Sequence, residues 1–318
     1  MEFVIVAFMK QSFMILFRQL CVSVLLTTSY FVALTQPPGK HWEAAAYNEA
    51  INELAVFSGT ELKDSKWFVT DSLWLFNGKW RFVDGNNMTG RWAHGLVYHN
   101  NGLYTYGGLI NNAQGKEEVV NDLHLFKDSW SKVTEGPKLS LPALFSVKEK
   151  LLLAGQPYED MKRFDVWELA GTTFQKHLSV NLDIETDRLW SLLVKNDLMV
   201  LYSSDSGLVF QNITTGHKEV VKDLPKLSKF GITYNAKLDS YFLFGGLDEK
   251  RNFSNDLWRI KNGRSEKLNG GTPPTPRAAN SMLPTPNGFI LYGGAENGGK
   301  LSNEVWRYES GKWIQMEY

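Results

Sequence analysis

The chain is poor in cysteine, with a single one among 318 residues. Cys21 lies in an apolar stretch near the N-terminus, so nothing after residue 35 carries a thiol. Disulfides, thiolate metal sites and cysteine nucleophiles are therefore excluded from the main body of the protein, whose stability must come from packing.

Net charge is also lacking, because 34 basic residues balance 34 acidic ones. A balanced chain creates no long-range field that would attract a nucleic-acid backbone or an anionic membrane surface. The sequence therefore predicts no nucleic-acid partner and favours a protein or a carbohydrate as ligand.

Motifs of catalysis and metal binding are missing as well. The six histidines form no HExxH pattern, and His94 and His99 are an odd number of residues apart, which places them on opposite faces of a strand. No nucleophile elbow, phosphate-binding loop or dinucleotide fingerprint occurs. We expect no metal and no cofactor, and the question of catalysis stays open.

The first 35 residues differ from the rest in being strongly apolar, with Lys10 and Arg18 as the positive charges. This pattern predicts a signal peptide over 1–35 and an exported protein, either secreted or periplasmic. Glu2 does not fit the basic start of such a peptide, which indicates Met9 as the true start. The alternative is an uncleaved anchor, the one route by which we expect contact with a membrane.

A repeat runs through the remainder of the chain. Short apolar runs end in small residues whose last members are Gly59, Gly108, Gly155, Ser204, Gly246 and Gly294. These positions are 49, 47, 49, 42 and 48 residues apart. Such a period is typical of repeat architectures with one supersecondary unit per repeat.

A second series keeps step with the first, and it includes Leu73–Phe76, Leu257–Ile260 and Val305–Tyr308. Further apolar segments lie before each small-residue turn and after each member of the second series, so each unit holds four strands. The expected blades span approximately 41–84, 91–134, 140–178, 188–221, 229–268 and 277–317. The recurring tryptophans are interpreted as wedges packed between these blades.

The double glycine closing the second strand, as in Gly245-Gly246, and the tryptophan opening the fourth, as in Trp313, resemble the kelch repeat. The resemblance covers about His41 to Met316 and implies an all-β fold, a six-bladed β-propeller of four-stranded blades over 36–318. Ser203-Ser204 departs most from the pattern and makes the fourth blade the least secure. No split blade is evident, so ring closure is expected to depend on packing of blade 1 against blade 6.

Candidate site residues come from the loops that lead into the first strand of each blade, found by counting back about 17 residues from the small-residue turns. These loops should surround one mouth of the central channel. The predicted ligand-binding residues there are Arg91, Trp92, Arg188, Trp190 and Arg277. The alternative is that the arginines only hydrogen-bond to loop carbonyls of the propeller.

The sequence thus favours an exported kelch-type binding or scaffold module that recognises a protein or carbohydrate at the mouth of the channel. The resemblance leaves a second function open, because exported kelch propellers include sugar mutarotases. No residue pattern carries the catalytic positions of those enzymes onto this chain.

Overall fold

The computed structural model describes residues 36–83, 87–182, 190–194 and 197–316, with backbone alone for 190–194. Six four-stranded antiparallel sheets follow one another along the compact unit Gln36–Tyr318. The predicted signal peptide, 1–35, lies outside the described residues.

The first three blades are formed by fourteen strands, two of which make a side hairpin. The strands are β1 (Ala44–Asn48), β2 (Glu53–Phe57), β3 (Thr60–Lys63), β4 (Lys66–Val69), β5 (Leu73–Phe76), β6 (Trp80–Val83), β7 (Gly95–His99), β8 (Gly102–Asn111), β9 (Glu117–Phe126), β10 (Trp130–Glu135), β11 (Leu139–Val147), β12 (Lys150–Pro157), β13 (Arg163–Ala170) and β14 (Thr173–Asn181).

The last three blades and a second short hairpin account for the other strands. They are β15 (Trp190–Val194), β16 (Asp197–Ser204), β17 (Gly207–Asn212), β18 (Lys218–Val221), β19 (Gly231–Asn235), β20 (Ser240–Phe244), β21 (Leu257–Lys261), β22 (Arg264–Leu268), β23 (Arg277–Ala278), β24 (Ser281–Thr285), β25 (Gly288–Tyr292), β26 (Ala295–Glu296), β27 (Val305–Glu309) and β28 (Lys312–Gln315). A 3₁₀ turn at Asn297–Gly299 follows β26.

Each blade is a meander in which neighbouring strands pair in chain order. In blade 1 the order is β1-β2-β5-β6, with β3 and β4 set aside as a separate hairpin. The first strands of successive blades pack beside each other, β1 with β7 and β24, and β7 with β11, so they form the inner edge of the ring. The predicted all-β six-bladed propeller is confirmed, and the fourth blade forms in spite of Ser203-Ser204.

Burial follows the position of a strand within its blade. The second strands are apolar on both faces, and β25 is buried along its whole length. The fourth strands β22 and β28 are largely exposed. A second strand is covered by a blade on either side, so the usual alternation of apolar and polar residues is lost.

The core is a set of apolar clusters between neighbouring blades. Phe57 of blade 1 packs on Trp130 of blade 2, with ring centroids 4.8 Å apart. The ring closes in the same way, because Val56 of blade 1 shares a cluster with Tyr292 of blade 6. A hydrogen bond from Asn303 to the carbonyl of Pro37, 2.7 Å, adds a polar contact across this joint.

Candidate functional site at the mouth of the channel

The site is positioned by the leading segments, defined here as the residues that precede the first strand of each blade. Each leading segment bridges to the residue just after the small-residue turn of its own blade. The bridged pairs are His41–Thr60, Trp92–Leu109, Ser228–Leu247 and Ala278–Ala295. The segments of blades 1 and 5 are two residues longer than those of blades 2 and 6, so a fixed count of 17 residues does not find equivalent positions.

Arg91 anchors the leading segment of blade 2. Its side chain is buried, 1% exposed, and Nη1 donates to the carbonyl of Gly107 at 3.0 Å and to Oδ1 of Asp122 at 2.8 Å. Burial alone would raise the pKa of Asp122, but hydrogen bonds from His124 and Arg91 hold it well below its usual range. These contacts join the second and third strands of the blade to its leading segment.

Arg277 makes the equivalent contacts in blade 6. Its side chain is fully buried, and Nη1 donates to the carbonyl of Gly293 at 3.1 Å. Nη2 lies 2.6 Å from Oε2 of Glu304 and 3.4 Å from Oε1 of Glu296. The guanidinium is therefore paired inside the protein, with two carboxylates.

Lys40 takes this place in blade 1, where the fixed count had pointed to Trp42. Its Nζ donates to the carbonyl of Ser58 at 3.1 Å and lies 3.5 Å from Oε1 of Glu61. Burial lowers the pKa of Lys40 to about 8, against the opposing charge of Glu61. In blade 5 the equivalent residue is Leu227, so the anchoring cation is absent there.

The predicted site residues are therefore distributed as follows. Arg91 and Arg277 lie in different blades and turn inward, and these contacts favour the alternative in which arginines tie loops together. Trp92 is partly buried and bridges to Leu109. Trp190 begins β15 and its side chain is not described, while Arg188 lies outside the described residues. A ligand-binding role for these five residues stays a prediction.

The residues closest to the channel mouth lie two positions after the bridged ones, immediately before the first strand. They are Glu43, His94, Phe230 and Asn280 in blades 1, 2, 5 and 6. The preceding residue in each case is left-handed without being glycine: Trp42, Ala93, Lys229 and Ala279 have φ between 55° and 59°. This turn aims the next side chain away from the strand, a change of direction that sequence spacing does not reveal.

Three of these side chains, Glu43, His94 and Asn280, form what we call the polar trio, on the consecutive blades 1, 2 and 6. Oε1 of Glu43, both ring nitrogens of His94 and both amide atoms of Asn280 are buried without a hydrogen-bond partner among the described residues. His94 and Asn280 are each 7% exposed. Buried polar groups are nearly always hydrogen-bonded, so the trio requires partners such as water or ligand hydroxyls.

Each member of the trio leans toward the preceding blade. The ring of His94 lies 5.3 Å from that of Phe57 in blade 1. A methyl group at Gly293 of blade 6 would lie 2.9 Å from Oε1 of Glu43, and one at Gly231 of blade 5 would meet the amide of Asn280. The absence of a side chain at these two glycines leaves room for the polar groups.

The titration of the trio departs from ordinary values. Burial raises the pKa of Glu43 to about 7, although its own backbone N–H and the charge of Lys40 favour the ionised form. Burial, helped by the charges of Arg91 and Lys40, lowers the pKa of His94 well below its usual range. At neutral pH the mouth therefore presents a neutral imidazole and a carboxyl group able to give or accept a proton.

An aromatic rim, made of Trp42 and Trp67 with His41 between them, lies beside Glu43. The ring of His41 is 5.2 Å from Trp42 and 5.8 Å from Trp67. Trp42 is 39% exposed and Trp67, on the β3–β4 hairpin, is 55% exposed. Solvated indole faces next to polar groups can stack on a ligand ring.

The part of the chain described by the structure contains no group of three or more His, Cys, Asp or Glu side chains placed to hold a metal ion. Within those same residues, no helix has the length and apolar character needed to cross a membrane.

The fold and the mouth together define a six-bladed β-propeller with unpaired polar groups at one end of its channel. No protein-family model matches the chain, and no curated protein matches it. A solved structure described as "Structure of YjhT" is similar, with a TM-score of 0.68 over 89% of this chain and 99% of that one. Sequence identity is 14%, so the likeness establishes the shared fold alone.

Proposed function

We propose that this protein is an exported kelch-repeat binding module that takes a hydroxyl-rich ligand, a carbohydrate, at the mouth of its channel. The observation that carries the proposal is the polar trio, whose buried atoms lack partners. A protein ligand is the other binding partner that the sequence favours, and it is an outcome of the test below.

The chemistry of the trio suits sugar hydroxyls. A hydroxyl group both donates and accepts hydrogen bonds, and Asn280 offers an amide donor and a carbonyl acceptor. His94 in its neutral form offers one donor and one acceptor, and Glu43 offers an acceptor when ionised. The nearby indoles of Trp42 and Trp67 can cover the apolar face of a sugar ring. Polar groups at the base and aromatic groups at the edge are a frequent composition of ligand sites.

A mutarotase or isomerase activity is the second candidate, and the pKa of Glu43, raised to about 7, favours it. Opening of a sugar ring requires a base to remove the proton of the anomeric hydroxyl and an acid to protonate the ring oxygen as its bond to the anomeric carbon breaks. Closure reverses both transfers. A carboxyl group that titrates near neutral pH can take either role.

Asn280→Leu provides the decisive variant. It removes the unpaired amide while keeping a similar size, so the free energy of unfolding should stay unchanged or rise, because no protein hydrogen bond is lost. Binding of mono- and oligosaccharides, measured by saturation-transfer NMR and calorimetry, should weaken about tenfold or more.

Asn235→Leu is the matched control, because the amide of Asn235 is buried and donates to the carbonyls of Thr285 at 2.6 Å and Gly288 at 2.8 Å. This variant should lose stability and keep its affinity for sugar. If no sugar binds the unmodified protein, or if Asn280→Leu binds as well as the unmodified protein, the mouth is not a carbohydrate site. Binding of a protein partner that Asn280→Leu abolishes would replace the sugar by that partner.

Catalysis is tested by two-dimensional exchange NMR on any sugar that binds. Glu43→Gln should retain binding and lose the accelerated interconversion of anomers if the mutarotase assignment is right. An equal rate in both proteins would leave the binding function alone.

The export component of the proposal rests on the apolar residues 1–35 and is independent of the site. The N-terminus of the protein from its native host, determined by mass spectrometry, should lie between about Leu34 and Pro38. A retained Met1 or Met9 would contradict it.

A further inference from the structure

A cavity of about 260 Å³ lies between blades 4 and 5, apart from the polar trio. Its floor consists of buried apolar side chains that belong to the core cluster of this joint. These residues are Leu208, Leu227, Phe230 and Leu243. Leu224 and Pro225, from the leading segment of blade 5, form a wall.

The cavity occurs where the repeat departs from its pattern in two ways. Leu227 stands at the position that holds Lys40, Arg91 and Arg277 in other blades, and Phe230 stands at the position of the polar trio. The small-residue turn of blade 4 is Ser203-Ser204, which carries side chains where other blades have glycine. Both substitutions in blade 5 replace a polar group by an apolar one, so this joint has lost the anchoring ion pair and gained an apolar recess.

The rim of the cavity is polar and carries no net charge. It includes the side chains of Ser203, Asp205 and Lys226. The carboxylate of Asp205 and the ammonium of Lys226 have opposite signs, so an ionic ligand of either sign meets one like charge. A neutral ligand with one hydrogen-bonding group suits this rim better.

We infer that this cavity binds a small neutral aromatic molecule of about ten heavy atoms that carries one polar group. An apolar protein cavity of about 150 Å³ holds benzene, with six heavy atoms, so 260 Å³ corresponds to a two-ring compound of indole size. The apolar floor excludes a free sugar, whose hydroxyls would lose hydrogen bonds to water without replacement. The site is therefore chemically distinct from the mouth.

Indole is the probe for this inference, since it is neutral, has nine heavy atoms and donates one hydrogen bond. Calorimetry and saturation-transfer NMR on the full chain should give saturable binding with a Kd of about 1 mM or tighter. Leu224 and Pro225 lie against the bound ring in this arrangement, so their resonances should shift on titration.

Ser203→Phe fills the cavity from its rim and should weaken indole binding at least tenfold. Ser206→Phe is the matched control, because Ser206 lies in the same turn, is exposed and does not line the cavity. Thermal denaturation of both variants verifies that they fold. Absence of saturable indole binding to the unmodified protein, or equal weakening by both substitutions, overturns the inference. Sugar binding at the mouth should be the same in both variants, which separates this result from a failure of the proposed function.

Discussion

Substitution of Gly246 by alanine tests whether the small-residue turns hold the leading segments in place. Gly246 has φ +98°, and a Cβ added there would lie 2.7 Å from the carbonyl oxygen of Ser228 and 3.1 Å from Cβ of Phe230. Both of those residues belong to the leading segment of blade 5. Gly299 is the matched control, because it also has a positive φ, +79°, and a Cβ there meets nothing within 4 Å.

The two variants share one cost and differ in another. Alanine at positive φ costs about 1–2 kcal/mol at either position. At Gly246 the clash adds about 1–3 kcal/mol of overpacking. It also strains the hydrogen bonds from the N–H of Gly246 to the carbonyl of Arg277, 2.9 Å, and from the N–H of Leu247 to that of Ser228, 2.7 Å, each worth about 1 kcal/mol.

We therefore expect Gly246→Ala to lower the free energy of unfolding by about 2–4 kcal/mol more than Gly299→Ala does. Thermal denaturation should show this as a difference in Tm of roughly 5–10 °C, and chemical denaturation supplies the free energies. Equal losses in the two variants would refute the reasoning, since they would show that close approach of the leading segment does not constrain the turn.

The remaining predictions concern charged groups. Because the pKa of Glu43 is raised from its ordinary 4.5 to about 7, its folded form is favoured below pH 4.5, and this advantage is lost as the pH rises to 7. Urea denaturation should show Glu43→Gln gaining stability relative to the unmodified protein over that range, by at most about 3 kcal/mol; a constant difference would contradict the shift. Arg277→Met leaves Glu304 without its buried cation and should cost about 3 kcal/mol, whereas Arg259→Met, whose partner Glu266 is exposed, should cost less than 1 kcal/mol. Weaker sugar binding without loss of stability in Arg277→Met would instead support the ligand-binding role predicted for that arginine.

The repeat was predictable because each blade must solve the same packing problem. A second strand covered on both sides needs a continuous apolar run, and the turn after it needs small residues, so both features recur at one period. Tryptophan recurs for a related reason: Trp74 and Trp130 are buried between blades, as the sequence predicts for residues that fill a widening gap.

The arginines illustrate where sequence reasoning had to leave two alternatives. Arg91 and Arg277 were correctly placed at the leading segments, but counting along the chain says nothing about the direction of a side chain. Their carboxylate partners, Asp122 and Glu304, lie just before the third strand, 31 and 27 residues away. Only the folded blade brings these charges together and buries them.

The polar trio could not be found from spacing, because the leading segments differ in length by two residues and a left-handed residue reorients each one. The sequence by itself determined the class of fold, the number of blades and the positions of the turns, because these follow from periodic local demands on the chain. The tertiary structure decided which groups lack partners at the mouth and where a cavity opens between blades 4 and 5. Both depend on contacts between neighbouring blades, and a pairing between blades leaves no local pattern in the sequence.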